Sequence, residues 1–234
     1  MIPNQNNPYT AAPTVADSTG FFPKVYGWMT AGLALTALMA VVTLSSQQML
    51  NLIFGNKMVF YGLIIGELGL VIALSAAINR ISAMTATLMF LIYSGLNGVT
   101  FAAIFMIYTS SSIASTFFVA SGTFAAMSIY GYTTKKDLTG WGSFLFMGLI
   151  GIIIASVVNL FMQSEMIYWI TSYIGVFIFV GLTAYDTQKI KKIGEAGFAD
   201  GESQKKAAIL GALRLYLDFI NLFLMLLRIM GNRR

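Results

Sequence analysis

The chain contains no cysteine and no histidine. Without cysteine there is no disulfide framework and no thiol nucleophile. Without either residue there is no Cys/His zinc site, and without histidine no Ser-His-Asp triad. Histidine is also the side chain that normally titrates between about pH 5 and 8. A response to pH in that window therefore falls to a carboxylate or lysine in an unusual environment. Charge is scarce as well: Asp, Glu, Lys and Arg make up 10% of the 234 residues, against about 25% in a soluble domain.

What replaces charge is apolar surface. The chain is 57% hydrophobic, with a mean hydropathy of +0.77. This excludes an ordinary water-soluble globule and a disordered chain, and makes a bilayer the natural solvent. The net charge of +5 does not point to nucleic acid. No polar segment interleaves basic residues with stacking aromatics, whereas cytoplasmic loops of membrane proteins collect Lys and Arg.

Residues 1–23 are rich in Asn, Pro, Thr and Ala and lack the basic-then-apolar order of a signal peptide. They read as a flexible polar tail. Residues 24–234 form one transmembrane domain. Seven apolar stretches run over about 26–44, 58–78, 83–107, 113–130, 141–161, 167–187 and 207–230. Each is close to the roughly 20 residues a spanning helix needs. The fold class is an all-α membrane protein, a bundle of seven transmembrane helices. Short connections make successive helices antiparallel neighbours. Trp28, Trp141 and Trp169 each fall near a helix start, as an interfacial belt requires. Gly62, Gly66 and Gly69 permit close helix approach.

Lysine and arginine set the orientation. Nine lie on the side of the N-terminal tail and the even-numbered connections: Lys24, Arg80, Lys135, Lys136, Lys189, Lys191, Lys192, Lys205 and Lys206. Four lie on the other: Lys57, Arg228, Arg233 and Arg234. The positive-inside rule then puts the N-terminus in the cytoplasm. Seven crossings put the C-terminus outside, which its arginines oppose, so the last segment either crosses despite its charge or re-enters and returns.

Ionisable residues within spans cost at least about 2.5–3.5 kcal/mol each, so each is a functional candidate. Here they are Glu67, Asp186, Arg214 and Asp218, with Arg80 at the edge of the second span. Arg214, Asp218, Asn221, Met225 and Arg228 are spaced 4, 3, 4 and 3, which places them on one helical face. Such a stripe should not face lipid, so the C-terminal helix belongs at the centre of the bundle. Arg214 and Asp218 could neutralise each other one turn apart, which would leave Asp186 unpaired. Asp186 lies about 4–5 Å and Asp218 roughly 16 Å below the lysine-rich edge, at 1.5 Å per residue. Glu67 lies about 20 Å beyond Arg80 on the same rule. It either marks a second depth of one aqueous path or is a hydrogen-bonded packing residue between helices.

If Asp186 and Asp218 meet, two charges about 4 Å apart repel by about 4 kcal/mol at an effective dielectric near 20. The pair would share a proton and titrate as a unit. Paired carboxylates also suit a divalent cation such as calcium. Two fall short of the six to eight oxygens calcium takes, so a calcium site on Asp186 and Asp218 would be weak and transient, as permeation requires.

The segment Gly181-Leu-Thr-Ala-Tyr-Asp-Thr-Gln-Lys-Ile-Lys191 resembles the signature of the transmembrane Bax-inhibitor-motif family, in its bacterial branch. Leu215-Tyr-Leu-Asp-Phe-Ile-Asn-Leu-Phe-Leu-Met-Leu-Leu-Arg228 resembles that family's last helix, and Lys24-Val-Tyr-Gly-Trp-Met-Thr30 also matches. The resemblance implies seven helices with the last one central, and a pH-sensitive calcium leak. It makes Asp186 and Asp218 the pH sensor and Arg80 a latch on one of them. Glu67 resembles the acidic residue of the same helix as Arg80. The connection between the two aspartates is long and carries Gly194, Gly197 and Gly201.

The leading expectation is a protonation-gated calcium leak, with calcium as the permeating ion and no cofactor. A second reading is a non-conducting regulator that binds a membrane protease or another membrane complex. A third is a proton-coupled transporter. An intramembrane hydrolase is weakest, because no histidine or cysteine supplies a base, ligand or nucleophile.

Overall fold

The computed structural model describes residues 20–234. The expected N-terminal tail lies outside them up to residue 19; residues 21–23 already belong to the first helix. The described residues form α1 (Phe21–Leu44), α2 (Gln47–Phe54), α3 (Lys57–Ala77), α4 (Ala83–Ile107), α5 (Ser110–Thr133), α6 (Thr139–Met162), α7 (Glu165–Ala196) and α8 (Gly201–Met230). All except α2 are long and apolar enough to cross a membrane. The all-α, seven-span architecture read from the sequence is therefore present. The short α2 was not expected: eight residues of the first connection fold into a helix too short to span.

The helix starts are written in local polar residues. Ser46, Asn56, Ser82, Thr109, Ser164 and Asp200 each accept a backbone N–H from the first turn that follows, satisfying donors that helix geometry leaves open. Helix α6 has no side-chain cap of this kind. The N–H of Leu138, just before it, instead donates to Gln188 Oε1 on α7 at 2.9 Å.

Helix α8 is the axis. Of its spanning residues 67% are buried, against 6% for α3 and 11% for α6. It packs against α1, α4, α5 and α7, while α3 leans on α4 and α6 on α7 at the periphery. Lipid supplies no hydrophobic drive between helices, so contact rests on close packing and polar bonds. Two glycines allow the backbones to meet: a Cβ on Gly98 would strike the Thr36 carbonyl of α1, and one on Gly131 would strike the Ala184 backbone of α7. The glycines of α3 do the opposite of what their spacing suggests. Gly62, Gly66 and Gly69 have no atom of another helix within 4 Å of where a Cβ would sit, and Ile65 and Ile72 on the same helix are exposed.

The last segment crosses. Helix α8 is continuous, and the residues after it pair with the α4–α5 connection: Thr109 N–H donates to Asn232 O at 3.1 Å and Arg234 N–H to Ile107 O at 2.9 Å. Its end thus lies on the face opposite the lysine-rich connections. Those connections are themselves tied down. Glu202 Oε1 accepts the Ala83 N–H at 2.6 Å, and Lys24 Nζ donates to Gln204 Oε1 at 3.1 Å. The glycine-bearing α7–α8 turn is therefore anchored at both α1 and α4, with Gly197 at φ 76°, a backbone region that glycine enters without cost.

Candidate functional site

The site lies where α7 and α8 run side by side beneath the lysine-rich face. Asp186 projects from α7, and Arg214 and Asp218 from successive turns of α8. Arg214 Nη1 is 3.7 Å from Asp186 Oδ1. Asp186 and Asp218 lie within mutual side-chain hydrogen-bonding contact. Two ionised carboxylates have no donor between them, so that contact is a hydrogen bond only when one carries a proton. Asp218 is 5% exposed, and its Oδ2 has no hydrogen-bond partner. A buried oxygen without a partner is costly and calls for an explanation.

The expected pair thus comes together, with a cation that differs from the one expected. Arg80 is exposed in the turn after α3 and belongs to no ion pair among the described residues. Arg214 is the arginine that faces Asp186. It also declines the partner one turn along its own helix, because Asp186 reaches it across the interface.

These residues border a cavity of about 860 Å³ between α6 and α8, reached on its far wall by Leu68 of α3. Asp186, Lys189, Arg214, Asp218 and Asn221 make its polar side; Ile153, Val157 and Met225 belong to its apolar side. The helical stripe read from the sequence is therefore a cavity lining as far as Met225. Asn221 Nδ2 donates to Leu217 O at 2.8 Å. Among the described residues no group of three or more His, Cys, Asp or Glu side chains could hold a metal ion.

Glu67 is elsewhere. It turns toward α4, where Thr100 Oγ1 donates to its Oε1 at 3.1 Å, and it does not line the cavity that its neighbour Leu68 reaches. Its contact is thus of the hydrogen-bonded, helix-to-helix kind weighed for it. It adjoins a polar cluster on the other side of α8 that sequence reasoning missed. There Tyr216, fully buried, meets Thr36 Oγ1 at 2.7 Å, and Thr36 Oγ1 lies 2.9 Å from Ser94 O. The available signal was Tyr216 itself, two residues from Asp218 and hence on the opposite helical face.

The remaining signature residues hold the site in place. The Tyr26 hydroxyl meets Thr187 Oγ1 at 3.3 Å. Gln188 Nε2 donates to Lys136 O at 2.7 Å while its oxygen takes the Leu138 N–H, clamping the α5–α6 connection to α7. Lys192 Nζ bonds Asp137 Oδ1 at 2.7 Å. That bond, with two more from Thr139, holds the Asp137 carboxyl down at about 2. Backbone bonding from Ser203 likewise holds Asp200 below its ordinary value.

Comparison with known proteins agrees with this architecture. A family model described as "Inhibitor of apoptosis-promoting Bax1" matches residues 18–234. The chain is 56% identical over 215 residues to a protein of Escherichia coli (strain K12) named inner membrane protein YbhL, covering 92% of each chain. It is 51% identical over 214 residues to an uncharacterized protein of Borreliella burgdorferi, with 92% of each covered. It is 46% identical over 213 residues to one of Rickettsia prowazekii, covering 90% of this chain and 89% of that one. With the match running through both aspartate-bearing helices, this integral membrane protein belongs to the Bax inhibitor family, Bax1-I.

Proposed function

We propose that the protein is a pH-sensitive calcium leak of the bacterial inner membrane, with its N-terminus in the cytoplasm, gated by protonation of the Asp186–Asp218 pair. The observation that carries this reading is the meeting of the two carboxyls beside Arg214, at the polar wall of a cavity between α6 and α8. The nine-to-four distribution of Lys and Arg supports the orientation.

The gate follows from charge. While Asp186 is ionised, Arg214 bridges α8 to α7 and the two helices stay closed over the cavity. Calcium itself would pass as a transient guest of carboxylate, amide and carbonyl oxygens. Protonating both acids discharges Asp186 and leaves Arg214 without its partner. The α7–α8 contact then loses its only described ion pair, and the helices part. Acid therefore opens the path. Arg214 takes the role that the family resemblance assigned to Arg80.

The test is calcium entry into proteoliposomes carrying an internal calcium dye, from pH 8 to pH 5. Wild type should show flux that rises as pH falls. Asp186→Asn and Asp218→Asn should each flatten that dependence. Unchanged pH dependence in both variants would remove the sensor assignment. Flux no greater than in empty liposomes at every pH would reject the leak in favour of a non-conducting regulator of a membrane protease or other complex.

A further inference from the structure

On the face opposite the lysine-rich connections, a second pocket of about 560 Å³ opens where α6 ends, α7 begins and α8 finishes. Arg228, Arg233, Tyr168, Trp169, Gln163 and Glu165 are among the residues that line it. Two guanidiniums flank one ring: Arg228 Cζ is 5.5 Å and Arg233 Cζ 5.8 Å from the Tyr168 centroid. Arg233 Nη2 also donates to the Tyr168 hydroxyl at 3.2 Å. Neither arginine is in an ion pair among the described residues, and Glu165, though it borders the pocket, bonds neither.

The arginines are held in place. Arg233 pairs with Tyr108 in an antiparallel bridge. On either side of it, Asn232 O and Arg234 N–H are bonded to the backbone at the end of α4, and Asn232 N–H donates to Ser112 Oγ at 3.0 Å. Arg228 is fixed by its place in α8. Two like charges facing one pocket repel unless an anion sits between them. Planar guanidiniums present paired N–H donors matched to phosphate oxygens, and Ser164 and Glu165 at the start of α7 border the same pocket. Helix ends flanked by Tyr and Trp lie at headgroup depth.

We infer that this pocket binds a phosphate group, and that its source is the headgroup of an anionic phospholipid in the leaflet opposite the lysine-rich face. The cavity exceeds a bare phosphate and leaves room for the glycerol backbone beside Trp169.

The test uses the full chain in micelles of a neutral detergent, titrated separately with phosphatidylglycerol, phosphatidylcholine and inorganic phosphate. Retained lipid is read by native mass spectrometry and the shift in unfolding temperature is recorded. Wild type should retain phosphatidylglycerol in preference to phosphatidylcholine and be stabilised by it. Arg233→Gln, a change at an exposed position, should weaken that preference by about tenfold, and Arg228→Gln with Arg233→Gln should abolish it, since a bond to a charged group is worth about a factor of ten or more. Lys57→Gln, a cation on the same face outside the pocket, should change nothing. Equal retention of the two lipids by wild type, or unchanged preference in Arg233→Gln, would overturn the site. Inorganic phosphate binding as well as the lipid would overturn the lipid assignment.

Discussion

Arg214 Nη1 stands 3.7 Å from Asp186 Oδ1, so the arginine in the middle of α8 is neutralised from α7 rather than by Asp218 one turn along its own helix. The bond crosses the interface that the proposed gate must open. It also leaves Asp218 buried with a bare oxygen beside Asp186.

Replacing Arg214 should therefore cost more than replacing either acid. In Arg214→Gln the two carboxyls lose their cation. The expected loss is at the lower end of the about 3–5 kcal/mol seen when one partner of a buried pair is removed, because the Arg214 side chain is 34% exposed. Adding Asp186→Asn should restore part of it. Thermal unfolding in detergent measures both. In liposomes, the proposed gate predicts that Arg214→Gln leaks calcium at pH 8 to the extent expected of wild type at pH 5.

Gln188 serves two backbone groups of the α5–α6 connection. Gln188→Leu leaves the Leu138 N–H and the Lys136 carbonyl without partners, at about 1–3 kcal/mol for each buried group left unsatisfied. Gln188→Glu keeps the acceptor for Leu138 and loses only the donor. Unfolding temperature should rank wild type, Glu, then Leu, and limited proteolysis should cut residues 134–138 first in the Leu variant.

Two glycines of the same chemistry should behave in opposite ways. Gly131→Ala drives a methyl into the Ala184 backbone, which cannot rotate away, at about 1–3 kcal/mol. Gly66→Ala meets open space and gains helix propensity. Its unfolding temperature should be equal to wild type or higher.

Asp137 supplies a pH dependence outside the membrane. Its folded value is about 2, below the ordinary 3.8, chiefly because Lys192 hydrogen-bonds the ionised form. A depressed acid stabilises the fold above its unfolded value, and that stabilisation is lost as pH falls from about 4 toward 2. Asp137 is fully exposed, so the effect is small. Wild type should lose unfolding temperature across that interval more steeply than Asp137→Asn.

The sequence by itself determined the solvent, the number of spans and the residues of interest. A spanning helix is a local object: its length, its apolar composition and the Ser, Thr, Asn or Asp before it lie within one stretch of chain. The central place of α8 was also legible, because charges every third or fourth residue cannot face lipid. The pairing of the two aspartates was not legible in this way: residue counting set them at different depths, and only the family resemblance put them together.

Tertiary structure decided the partners. Whether Arg214 bonds Asp218 or Asp186, whether Glu67 faces α4 or a shared path, and whether the glycines of α3 face a helix or nothing all depend on the rotation of one helix against another. That rotation is set by where Gly98 and Gly131 let backbones touch, and by long-range bonds such as those of Gln188 and Glu202. Helical periodicity places residues on a face; only packing decides what that face meets.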